Sequence, residues 1–235
     1  MLFKNREEAA RLLAGRLTRY IGRNPLVLAI PRGAAPMARI IADAIDGEMD
    51  VVLVHKLGAP GNPEFAIGSV GEGGELYISE DARTLRIDDE YLRQEAREQR
   101  ETLRRRRAMY TPVRPPINPS GRLVIVVDNG IATGATMIAA LRAVRAKRPA
   151  RLIAVVAVAP PETLKRIARE ADETVCLDAP EEFYAVGQFF LEFPQVTDEE
   201  VIALLQRKPR PHRTPLLGKG KGAARPGVRP SRGGG

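Results

Sequence analysis

Residues 124–136, Val-Ile-Val-Val-Asp-Asn-Gly-Ile-Ala-Thr-Gly-Ala-Thr, restrict the possible folds more than any other stretch of this chain. Four consecutive apolar β-formers suit a parallel strand covered on both faces, whereas a half-exposed strand would alternate. Mostly small residues follow, suiting a tight turn, and Met137 to Lys147 has the spacing of a helix. The first amides of a helix have no intrahelical acceptor, so a strand–turn–helix of this kind offers an anion site. Asp128 falls at the strand's carboxyl end, the side on which open α/β sheets bind ligands. Such turns are also ordinary punctuation in α/β proteins. Here an acid at the strand end joins two threonines and two glycines, which points to recognition of a sugar phosphate.

The remainder of the chain alternates strands with helices. Asn5 to Arg23 is expected as a helix, with Asn5 as N-cap and Leu12, Leu13, Leu17 and Ile21 at helical spacing. Strands are expected at Leu26–Ile30, Asp50–Val54, Leu152–Ala159 and Thr174–Asp178, with a helix at Ala35–Ile45 and another after Pro161. Leu57 to Pro63 reads as a Gly/Pro/Asn-rich loop, followed by β-prone runs at Phe65–Val70 and Leu76–Ser79. Asp88 to Arg107 reads as one charged helix, solvated along most of its length and ending in four arginines. Thr111 to Gly121 is a proline-rich connector, and Asp198 to Leu205 a final helix. The pattern predicts an α/β fold: a doubly wound, mainly parallel sheet flanked by helices. A small C-terminal hood is expected over about 178–205, where five of the eleven Phe and Tyr residues cluster as Phe183, Tyr184, Phe189, Phe190 and Phe193. That cluster is either a satellite core or a stacking face for a base.

The 124–136 stretch resembles the signature of the type I phosphoribosyltransferases, which bind phosphoribosyl pyrophosphate. In that family two acids hold the ribose 2′ and 3′ hydroxyls, and a small-residue loop wraps the 5′-phosphate. Asp128 matches the first acid and Ala132-Thr133-Gly134-Ala135-Thr136 the loop, while Asn129 replaces the second acid. Asparagine still hydrogen-bonds a hydroxyl but brings no charge to a cationic transition state or to Mg²⁺. Ile30-Pro31-Arg32-Gly33-Ala34-Ala35-Pro36 resembles the family's pyrophosphate loop. There Arg32 would present a fork of donors to the leaving group, and Gly33 would allow a strained backbone, in the family often a non-proline cis peptide. Lys56 resembles a lysine placed near the pyrophosphate. His55, where relatives often carry arginine, reads as a structural residue. Leu57–Pro63 lies where the family has its flexible catalytic loop, with Asn62 and Glu64 near the reaction. Lys56 to Glu64 also matches small bacterial proteins of this family.

The resemblance, which covers about residues 1–205, implies an enzyme that transfers a ribosyl 5-phosphate to a base or amine and releases pyrophosphate, with Mg²⁺ as cofactor and a homodimer as the candidate assembly. The implied catalytic residues are Arg32, Lys56 and Asp128; Gly33, Asp128, Asn129 and Ala132 to Thr136 would bind substrate. No protein metal ligand is assigned. Ala132 stands where purine-salvage relatives have an acid/base aspartate, which argues against a 6-oxopurine acceptor. The alternative is a non-catalytic sensor of phosphoribosyl pyrophosphate or a nucleotide. No Gly-x-Gly-x-x-Gly follows a strand, which disfavours a dinucleotide oxidoreductase.

Composition adds bounds. The 235 residues suffice for one α/β domain and an appendage. The net charge of +8 resides in the tail: from Gln206 onward there are nine Lys/Arg and no acids, leaving 28 basic against 29 acidic residues before it. The tail, 206–235, reads as disordered and able to touch nucleic acid only through phosphate charge. A single cysteine, Cys176, reads as a buried strand residue rather than a nucleophile. With no signal-like N-terminus and no membrane-length apolar run, a soluble cytoplasmic protein is expected.

Overall fold

The computed structural model describes residues 1–207; the side chains of Pro63, Glu64, Ala66, Glu80 and Asp81 lie outside the described set, as does the basic tail from 208 onward. Five strands form a wholly parallel sheet: β1 (Leu26–Ala29), β2 (Glu48–Val51), β6 (Leu123–Gly130), β7 (Arg151–Val158) and β8 (Glu173–Asp178). Their spatial order is β2-β1-β6-β7-β8, so the winding reverses between β1 and β6. A reversal of this kind opens a crevice at the carboxyl ends of the two strands.

Both faces of the sheet are buried, as the continuous apolar runs require. Side chains alternate along each strand. Val27, Ile125, Val127, Ile153 and Val155 join α1 (Arg6–Arg16) and α2 (Ala35–Ala44) in one core. Leu26, Leu28, Val124, Val126, Ala154 and Val156 join α5 (Ala135–Ala146) and α6 (Pro161–Ile167) in the other. Fully burying a side chain of this size stabilises the fold by about 1.5–3 kcal/mol.

Two expectations are corrected here. The first helix stops at Arg16 rather than Arg23: a 3₁₀ turn follows at Thr18–Tyr20, and Gly22 adopts positive φ (74°), which ends helical propagation. Residues 57–63 are not a loop. They complete β3 (Val54–Ala59) and begin β4 (Asn62–Gly71), an antiparallel hairpin extended by β5 (Leu76–Ile78) into a second, three-stranded sheet. The turn falls at Pro60–Gly61, with Gly61 at φ 73°, and the register shifts on both sides of Gly58. Glycine and proline thus serve a bulged hairpin rather than a loop.

After α3 (Glu80–Thr84), the charged helix α4 (Asp89–Tyr110) is capped by Asp88, which accepts from the Glu90 amide at 3.0 Å. Its last arginine is not solvated. Arg107 donates to Asp50 at 3.1 Å, to Glu72 at 2.6 and 2.7 Å, and to the Val51 carbonyl at 3.0 Å. Asp50 is 1% exposed, so this network joins α4, the edge strand β2 and the end of the hairpin sheet inside the protein. No helix of the described residues is long and apolar enough to cross a membrane.

Candidate active site

Both phosphate-site candidates open onto the crevice. The loop after β1 carries Arg32 and Gly33; the end of β6 carries Asp128 and Asn129, with 131–134 leading into α5. The Ile30 amide donates to Val127 at 3.0 Å and holds the two loops side by side. The Pro31–Arg32 peptide is cis. A β-carbon on Gly33 would overlap the Asn129 side-chain amide, so the first loop can approach β6 only with glycine there.

Asp128 and Asn129 sit side by side near the carboxyl end of β6. Asp128 keeps a partly open edge, and burial pushes its carboxyl up to about 7, opposed only by a hydrogen bond from the Asn129 amide at 2.7 Å. Asn129 is 8% exposed, and its side-chain oxygen has no donor. A buried acceptor left empty costs about 1–3 kcal/mol. The Asn129 oxygen is left able to accept from a donor outside the protein.

The 131–134 turn is held from behind. Thr163 donates its hydroxyl to the Ala132 carbonyl at 2.7 Å, Arg166 donates to the Thr133 carbonyl at 3.2 Å, and the Ile138 amide donates to Gly134 at 2.9 Å. The carbonyls are thereby occupied, while the amides of Ala132, Thr133 and Gly134 meet no acceptor among the described residues. Gly134, at φ 81°, caps α5 in the left-handed region; Ala135 and Thr136 form its first turn. Oriented amides at a helix start attract anions.

Other expected residues are placed differently. Arg32 is turned to Asp198 at 3.4 Å, the first residue of the last helix α7 (Asp198–Gln206). Asp198 also accepts from the Tyr110 hydroxyl at 2.5 Å. Burial and that carboxylate hold the Tyr110 phenol protonated. Lys56 belongs to the hairpin sheet, in register with Ser69 and through it with Tyr77, so these three share a face. His55 directs Nδ1 to the neighbouring Lys56 carbonyl at 2.7 Å. Asn62 opens β4, and Glu64 falls outside the described side chains.

The aromatic cluster is not a separate satellite core: Phe3, Phe189 and Phe190 are buried in the same core as α1 and α2, and Phe183 and Phe193 pack against it. Phe190 stacks on Phe193 at 4.7 Å and meets Phe3 at 5.3 Å, while Phe183 packs on Phe189 at 5.0 Å. Only Tyr184 of the five is largely exposed, at 86%. The segment nevertheless reaches the crevice, for a β-carbon on Gly130 would overlap Val186. Cys176 lies on β8, its thiol 3.0 Å from the Asp178 carbonyl, and burial pushes its pKa up.

Two neighbours of the site escaped the sequence reading, Asp198 and Arg6. Arg6, 8% exposed, donates to the Pro194 carbonyl at 2.7 Å and lies 3.8 Å over the Phe193 ring. Burial lowers its pKa, with Glu200 opposing. It ties the start of α1 to the aromatic segment beside Gly33, and nothing in its local sequence marks it apart from the solvated arginines nearby.

Residues 2–193 match the phosphoribosyl transferase domain. The chain belongs to the phosphoribosyl transferase family. It is 39% identical over 210 residues to proteins provisionally named phosphoribosyl transferases in Mycobacterium tuberculosis strains CDC 1551 and H37Rv. That alignment covers 89% of this chain and 47% of theirs, so the chain spans about half the length of these curated relatives. The crystal structure of TT1426 from Thermus thermophilus is similar at 48% identity and a TM-score of 0.79, covering 88% of this chain and 98% of that one. Family membership agrees with the parallel sheet flanked by helices.

Proposed function

We propose that this phosphoribosyl transferase binds phosphoribosyl pyrophosphate across the β1–β6 crevice and transfers its ribosyl 5-phosphate to a base or amine, releasing pyrophosphate. The observation that carries the reading is the buried, donorless oxygen of Asn129 beside Asp128, next to a turn whose amides lack acceptors.

In this reading the ribose hydroxyls donate to Asp128 and Asn129, and the amides of Ala132 to Thr136, with the Thr133 and Thr136 hydroxyls, hold the 5′-phosphate. The nucleophile attacks C1 as the C1–O bond to pyrophosphate breaks, and charge develops on the ribosyl ring. Ionised Asp128 would favour that charge by proximity. Arg32 must exchange Asp198 for the pyrophosphate, at small cost, because the pair is long and half-exposed. Lys56 would have to reach the pyrophosphate from the hairpin face it shares with Ser69 and Tyr77.

The residues present fit Mg²⁺ in one limited way. No cluster of three or more His, Cys, Asp or Glu among the described residues could cage a metal, while Asp128 offers one hard carboxylate oxygen. Mg²⁺ commonly takes one or two carboxylates plus substrate phosphates. When bound it would neutralise charge on the pyrophosphate.

Calorimetric titration of phosphoribosyl pyrophosphate with Mg²⁺ tests the binding. Saturable binding that Asp128→Ala abolishes supports it; no binding at millimolar ligand overturns it. The second reading, a sensor that binds without turnover, is favoured by Asn129 standing where a second acid would add charge. Asn129→Asp separates the two, raising pyrophosphate release in an enzyme and leaving a sensor silent.

A further inference from the structure

A cavity of about 290 Å³ lies between the hairpin sheet, α5 and α6. It is on the flank of the phosphate turn, not over Asp128. Ser69 and Tyr77 line it from the sheet, Arg142 from α5, Arg166 from the end of α6, and Arg169 and Glu170 from the turn after it. Its charges do not balance. Arg142 lies 3.5 Å over the Tyr77 ring and pairs with Glu170, which consumes the one carboxylate. Arg166 makes its contact with a neutral carbonyl, that of Thr133, and neither it nor Arg169 meets a carboxylate among the described residues. Two exposed guanidiniums without a carboxylate partner among the described residues therefore border one polar hollow.

We infer that this cavity is a second anion site, for the phosphate of a small phosphomonoester. Guanidinium pairs present planar forks of donors that match phosphate oxygens. Ser69 and Tyr77 add hydroxyls, and the volume, near the lower end for ligand sites, leaves room for a small organic body beside the phosphate. The cavity also communicates with the turn described above: Ala135 is in its wall, and Arg166 holds the Thr133 carbonyl. A ligand drawing on Arg166 loosens that hold, so occupancy of the cavity alters affinity at the turn, and the reverse holds equally.

The inference does not depend on what the crevice binds. Its test is calorimetry of the full chain and of Arg169→Ala with adenosine 5′-monophosphate as the probe and adenosine as the neutral control, binding common to both proteins being assigned to the crevice. The expected result is saturable binding of the monophosphate, none of adenosine, and weakening by about tenfold or more in Arg169→Ala. Arg169 is exposed and touches neither the turn nor Asp128, so the variant should melt like the parent and bind phosphoribosyl pyrophosphate unchanged. No binding of the monophosphate, or equal binding by Arg169→Ala, overturns the proposal. If phosphoribosyl pyrophosphate itself fails to bind, the reading of the crevice falls, while the Arg169→Ala comparison still reports on the cavity.

Discussion

Replacing Asp128 by asparagine separates what the residue does for the ligand from what it does to the fold. Asparagine keeps the size and the oxygen that accepts from the Asn129 amide, and removes only the charge. Burial raises the Asp128 carboxyl from an ordinary 3.8 to about 7, so the folded chain holds a proton that the unfolded chain releases. Stability due to this group is fully present below about 4, falls as pH rises from about 4 to about 7, and is level above. The full interval corresponds to roughly 4 kcal/mol, at about 1.4 kcal/mol per unit. The partly open edge of Asp128 admits water, which reduces this to about 1–3 kcal/mol. Asp128→Asn is therefore expected to stabilise the unliganded protein by that amount at pH 8 and to have little effect at pH 4.5. For a chain of this size that is a rise in Tm of several degrees. The assay is chemical denaturation of both proteins across pH 4.5–8.5, the difference between them isolating the one carboxyl. The same variant should lose phosphoribosyl pyrophosphate binding. A variant less stable than the parent at pH 8, or a difference that does not change with pH, would refute the argument that Asp128 is held ionised at the fold's expense.

Other changes probe the neighbouring parts. Gly33→Ala drives a β-carbon into the Asn129 amide and should cost about 1–3 kcal/mol of stability, with loss of ligand affinity of tenfold or more by titration. Thr163→Val removes the hydroxyl that holds the Ala132 carbonyl; a loss of about 1 kcal/mol in denaturation and faster amide exchange across 131–134 are expected. Arg107→Met leaves Asp50 buried without its cation and should cost about 3–5 kcal/mol, whereas Arg105→Met, on the exposed side, should leave the melting temperature within a degree or two.

The sequence revealed most where burial dictates composition. The runs at 124–127 and 152–159 read as strands because both faces of each are covered. Asp128 and the turn after it were legible because they follow directly from such a strand. The hairpin at 54–71 was hidden, since Gly58, Pro60, Gly61 and Pro63 have the composition of a loop and the bulge breaks any alternation. Arg6 and Asp198 were hidden for another reason. They reach the neighbourhood of Gly33 and Arg32 from elements more than twenty and more than a hundred and sixty positions away, and only tertiary packing distinguishes them from other surface charges. Arg107 likewise differs from the arginines before it only by the helical face it occupies.

The Arg107 network also limits how this molecule can move. It clamps the point where the hairpin sheet leaves the main body, binding the end of β4 and the loop beyond it to β2 through charges that cannot be exposed one at a time. The hairpin is thus tied to β2 at its root. Any displacement of the hairpin would have to be taken up beyond that root, along β3 and β4, where the bulge at Gly58 already interrupts the ladder.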